Sequence, residues 1–94
     1  MFVEGVNDAM QHNIAVMKST DKGQTWSVGN EGKPVICGQG TGSTGTACVV
    51  RPHGAGSDDW WVYCVTATKA GGFSIGLAMS STGPEGPFKW YDEA

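Results

Sequence analysis

The chain has 94 residues, a formal charge of −3 and 16% charged residues, with 15 glycines, four prolines and three cysteines. A chain of that length is one domain or a piece of one, and its core is marginal unless it finds partners. No basic run is present to meet nucleic acid or an anionic membrane, and the apolar stretches are too short for a transmembrane helix.

Capped segments of helical period are absent. Short β-rich runs recur instead, separated by Gly, Pro, Ser and Asn, which is an all-β pattern. In chain order the runs predict strands over residues 2–6, 13–19 and 25–28, then over 46–51, 59–67, 73–80 and 87–92. Residues 34–37 extend an outer edge or open a crossover. The Gly-rich stretch 38–45 is that crossover. It contains a G-x-G-x-x-G, but a strand-like run follows it, where a dinucleotide loop requires a helix. Cys37, Cys48 and Cys64 cannot all pair and no C-x-x-C occurs, so free thiols are expected, with no metal site and no cofactor. The opening Met-Phe-Val-Glu-Gly has neither a basic nor an apolar leader region, so no signal peptide is expected, and free thiols favour a reducing compartment such as the cytoplasm.

Sliding the chain against itself by 61 residues exposes a repeat. Phe2 meets Tyr63, Val3 meets Cys64, Ile14 meets Ile75, Val16 meets Leu77 and Ser19 meets Ser80. Each half ends in a turn and an aromatic, Trp26 in one and Trp90 in the other. Residues 1–37 then form an incomplete unit lacking its first strand, 38–45 the link, and 46–94 a complete second unit, all within a single domain. The unpaired sheet edges of such an arrangement invite another chain.

The turn of the first unit is Ser19-Thr20-Asp21-Lys22-Gly23-Gln24-Thr25-Trp26. Asp21 is placed to accept turn amides, Gly23 supplies a positive φ, and Trp26 is expected to plug the space beneath. The pattern S-x-D-x-G-x-T-W resembles the Asp-box of sialidase-like β-propellers, in which Ser19, Asp21, Gly23, Thr25 and Trp26 would be structural. The flanking Asn13-Ile14-Ala15-Val16-Met17-Lys18 and Gly32-Lys33-Pro34-Val35-Ile36 resemble a blade of the five-bladed β-propeller glycoside hydrolases, families 43, 32 and 130 among them. So do Val49-Val50-Arg51-Pro52, Trp60-Trp61-Val62-Tyr63, Ile75-Gly76-Leu77-Ala78-Met79-Ser80-Ser81 and Gly86-Pro87-Phe88. The resemblance covers nearly the whole chain. It implies two four-stranded antiparallel blades, the first incomplete, closed into a propeller by oligomerisation of identical chains. A cyclic trimer would give six blades.

Antiparallel blade strands alternate their loops between two ends. The resemblance places sugar at the end carrying residues 7–12, 38–45 and 68–72. Glu4 and Asp8 are the candidate catalytic carboxylates there, with Asn7, Gln11, His12, Thr46 and Lys69 as candidate sugar contacts. Two departures weigh against catalysis. The Asp-Pro that often opens a first strand in that group is replaced by Thr46 and Ala47, and Glu4 has second-strand spacing. Asp58 and Asp59 are adjacent in a strand and diverge, so they make a poor carboxylate pair. His53 falls at the opposite end. Carbohydrate binding without catalysis is the expectation that follows. The alternatives are a glycoside hydrolase or phosphorylase domain, truncated or completed by a neighbouring chain, and an inert structural fragment.

Overall fold

The computed structural model describes residues 1–8, 10–38, 42–68 and 71–91. Seven strands are present among them, with one short 3₁₀ turn, Asn30–Gly32, and no α-helix. They form two antiparallel sheets. The first has the order β1 (Phe2–Val6), β2 (His12–Lys18), β3 (Ser27–Val28). The second has the order β4 (Thr44–Val50), β5 (Trp60–Ala67), β6 (Phe73–Ser80), β7 (Lys89–Trp90). The architecture is all-β, as the composition predicts.

The 61-residue interval reappears in the backbone pairing. Phe2 opposes Val16 and Glu4 opposes Ile14 in the first sheet; Tyr63 opposes Leu77 and Val65 opposes Ile75 in the second. Each pair is carried onto the other by that one shift. Beyond the central hairpin the correspondence slips by one residue, since Met17 opposes Val28 while Ala78 opposes Trp90. The longer second turn, visible in the sequence, accounts for the slip.

The strand limits differ from expectation in five places, the smallest at β5, which starts at Trp60 and leaves Asp59 to the preceding loop. β2 starts at His12 and releases Ser19 to the turn. β3 keeps only Ser27 and Val28, because Thr25 and Trp26 are spent on hydrogen bonds within the turn. β7 is likewise confined to Lys89 and Trp90. β4 begins at Thr44 and stops before Arg51, whose guanidinium donates to the carbonyls of Ala55, Ser57 and Asp59 in the following loop and lies 4.0 Å from the Trp60 ring centroid. Residues 34–37 extend the outer edge of the first sheet: Ile36 bridges Ile14, whose N–H donates to the Ile36 carbonyl at 2.9 Å.

Strand alternation divides each sheet into two faces. Ile14 of β2 packs with Val62, Cys64 and Ala78 of the second sheet and with Ile36 in one buried cluster, and Val16, on the same side of β2, is buried too. Phe2 joins them, its ring edge-on to Phe88 and tilted against Trp60, each at 6.0 Å between centroids. β4 is the strand of the second sheet nearest the first, lying against both β1 and β2. At the turn end, Glu85 ties the units together by accepting from Asn30 N–H at 2.9 Å and Lys18 Nζ at 2.8 Å. Cys37, Cys48 and Cys64 are all free, and burial pushes the Cys64 thiol up to about 11. Such a thiol packs as a small apolar group and is unreactive at neutral pH.

Candidate functional site

Three of the sequence-selected residues converge at the end of the sheets away from the Ser19–Trp26 turn. Glu4, on β1, lies beside His12, the first residue of β2. The His12 imidazole Nδ1 is 2.6 Å from Glu4 Oε2. A carboxylate only accepts, so Nδ1 carries the proton and donates. Glu4 Oε1 accepts from the Thr46 backbone N–H at 3.2 Å. The hydrogen bond from His12 comes first, and that from Thr46 second, in holding the Glu4 carboxyl below its ordinary range. Glu4 is therefore anionic at neutral pH.

A local break in β4 makes this possible. The pairing with β5 shifts between Gly45 and Cys48, so that Thr46 and Ala47 together oppose one residue of β5. This is a β-bulge, a feature that turns a backbone group out of the ladder. Here it turns the Thr46 N–H onto Glu4. Thr46 takes a φ of 52°, a conformation that β-branched residues rarely adopt. Gly45 is equally constrained: a Cβ on it would lie 2.1 Å from Glu4 Oε1. Only a glycine lets the carboxylate rest so close to the strand. Ser43 completes the frame, since its Oγ accepts from His12 N–H at 2.9 Å and its carbonyl accepts from Ala67 N–H at 3.0 Å.

Glu4, His12 and Thr46 line a cleft of about 270 Å³, and Val65 and Phe73 are part of the same lining. Phe73 is 71% exposed. Among the described residues, no other carboxylate lines it. Asp8 sits exposed in the β1–β2 turn, outside the lining. Asn7 and Gln11 spend polar groups on closing that turn: Gln11 N–H donates to Asn7 Oδ1 at 3.0 Å, and Asn7 Nδ2 donates to Gln11 Oε1 at 3.2 Å. Lys69 lies outside the described residues. The members that the sequence did not single out are Ser43, Thr44, Gly45, Val65 and Phe73. For Phe73 the alternation along residues 73–80 carried a signal, because it puts Phe73 on the side away from Ala78.

At the opposite end, Ser19, Asp21, Gly23, Thr25 and Trp26 close the β2–β3 connection. Asp21 Oδ1 accepts from Thr25 N–H at 2.8 Å and from the Ser19 hydroxyl at 2.8 Å, while Oδ2 accepts from the Thr25 hydroxyl. Ser19 Oγ accepts from Gly23 N–H at 2.8 Å, and the Trp26 indole N–H donates to the Gly23 carbonyl at 3.0 Å. The expected plug is corrected in one respect: Trp26 covers the flank of the turn and remains 43% exposed. His53 pairs with Asp59 at 2.6 Å, at this end and outside the cleft. Among the described residues there is no cluster of three or more metal-ligating side chains. Compared with protein-family models, curated proteins and solved structures, the chain matches none.

Proposed function

We propose that this chain is a carbohydrate-binding module of propeller type, and that its ligand site is the Glu4–His12–Thr46 cleft. The supporting observation is the presence of one fixed, ionised carboxylate and one exposed aromatic ring in the lining of a single cleft. A carboxylate accepts from sugar hydroxyls, and an aromatic face stacks on the apolar side of a pyranose. The 61-residue repeat of strand registers and the Ser19–Trp26 turn support the blade-like architecture. In that architecture the turn is an Asp-box, with a structural Asp21.

Binding without hydrolysis follows from the same groups. Hydrolysis of a glycoside needs two carboxyl groups about 5–9.5 Å apart, one of them protonated at working pH. The cleft offers Glu4, and its lowered pKa is opposite to what a general acid requires. A glycan array followed by calorimetric titration of the best ligand tests the proposal. Glu4→Gln and Phe73→Ala are each expected to weaken binding on the order of tenfold or more. Turnover of aryl glycosides that disappears in Glu4→Gln would replace binding with hydrolysis, and an array without a single ligand would remove the sugar altogether.

A further inference from the structure

We infer that the outward face of the second sheet binds the outward face of the first sheet on another copy of this chain, head to tail. The inference stands on the repeat and the packing, and it holds whether or not the cleft binds sugar.

The two sheets meet through unlike faces. The first contributes the face bearing Phe2, Ile14 and Val16, and the second contributes the face bearing Val62, Cys64 and Ala78. Moved by 61 residues, Phe2, Ile14 and Val16 become Tyr63, Ile75 and Leu77, with the pairing register preserved. Those three lie on the side of the second sheet away from the first, outside the buried cluster formed among the described residues. Ile75 is 69% exposed, and Tyr63 and Val50 on the same side are exposed too. The second sheet thus presents to solvent the same kind of face that the first sheet buries inside the molecule.

The complementary face lies on the outer side of the first sheet, away from the buried cluster among the described residues. Cys64 and Ala78, which pack on the first sheet, and Gly76 on the same face beneath the Trp90 ring correspond to Val3, Met17 and Ala15. These three lie on the outward side of the first sheet beside Val28 and Met1, both exposed. A second copy fits because each chain carries both halves of a contact that it already makes once internally. Two unlike faces on one molecule make a heterologous interface, which propagates from chain to chain and closes when the rotation permits. Whole chains add two sheets each, and three chains close a six-sheet ring within the usual range of four to eight.

Sedimentation velocity of the 94-residue chain is expected to show a discrete oligomer, a cyclic trimer. Ile75→Glu charges one face and Met17→Glu the other. Each variant alone is expected to sediment as a monomer with an unchanged far-ultraviolet circular dichroism spectrum. Mixed, they retain one intact face apiece and are expected to form a one-to-one heterodimer, which also shows that both are folded. A folded wild-type monomer at the highest soluble concentration overturns the inference. So does a Met17→Glu variant that still self-associates, since that would mean like faces meeting across a two-fold axis.

Discussion

A single carboxylate organises the Ser19–Trp26 turn, and its titration reports on that turn. Asp21 collects donors from Thr25 side chain, Thr25 backbone and Ser19, which together lower its carboxyl from 3.8 to about 2. Because the folded value lies below the unfolded one, the fold favours the ionised form. The stabilising contribution is whole above about pH 4 and is lost as the pH falls through about 2. In a proton NMR titration the Thr25 amide is expected to shift with a midpoint near 2, and Asp21→Asn to abolish that transition; a midpoint at the ordinary carboxylate value would mean the turn is open. The second unit solves the same turn with reversed polarity. Ser80 repeats Ser19, its Oγ accepting from Thr82 N–H at 3.2 Å, but Thr82 stands where Asp21 does and donates to the Gly86 carbonyl at 2.6 Å. Thr46 is the other residue whose chemistry conflicts with its place. A β-branched side chain at positive φ costs about 1–3 kcal/mol. Thr46→Gly keeps the N–H that Glu4 uses and removes the clash. It is expected to raise the unfolding free energy by about 1 kcal/mol in urea titration, after the greater chain entropy of glycine is set against the relief.

At the scale of the element, alternation and turn composition made most of the fold readable. The repeated hairpin strands of both units, β1, β2, β5 and β6, lie where apolar residues alternate between Gly- and Asn-containing breaks. The repeat also implied that the two hairpins share one pairing, although which residues oppose each other is set by the turns and came only with the structure. The short outer strands were overestimated for a physical reason. Thr25, Trp26 and Arg51 look like strand residues by propensity, yet their hydrogen bonds go to turns and loops. The bulge in β4 was invisible because nothing in Gly45-Thr46-Ala47-Cys48 favours a positive φ at Thr46; it depends on Glu4, 42 residues away in sequence. Glu4, His12 and Thr46 were legible as candidates because the resemblance places sugar at their end of the strands, whereas the close approach at Gly45 requires the tertiary fold. Gly45→Ala tests that approach. The new methyl group must displace the Glu4 carboxylate, whose nearest oxygen would lie 2.1 Å from it. The Thr46 amide is then expected to lose its acceptor and exchange faster with deuterium, while the amides of β5 and β6 keep their protection. Unchanged Thr46 protection would mean that Glu4 does not hold the bulge.

For the whole molecule, the decisive quantity is the contact between the sheets. Three antiparallel strands with one apolar face are close to the smallest sheet that persists, and only when that face is covered. The first sheet covers it with Val62, Cys64 and Ala78, and the second sheet is covered in turn by Ile14, Ile36 and Phe2. Neither sheet has a separate core among the described residues, so the two are expected to unfold as one unit. Ile14 is 1% exposed and sits at the centre of that contact, so Ile14→Ala is expected to cost about 3 kcal/mol, within the range for large-to-small core substitutions. The loss has to appear identically in both halves of the chain. Urea curves followed by Trp90 fluorescence, in a variant whose other three tryptophans are phenylalanine, report the second sheet; far-ultraviolet circular dichroism reports all strands. Coincident curves that move together in Ile14→Ala establish a single cooperative core. If the fluorescence midpoint stays fixed while the dichroism splits, the second sheet stands without the first, and the contact through Ile14 contributes nothing to it.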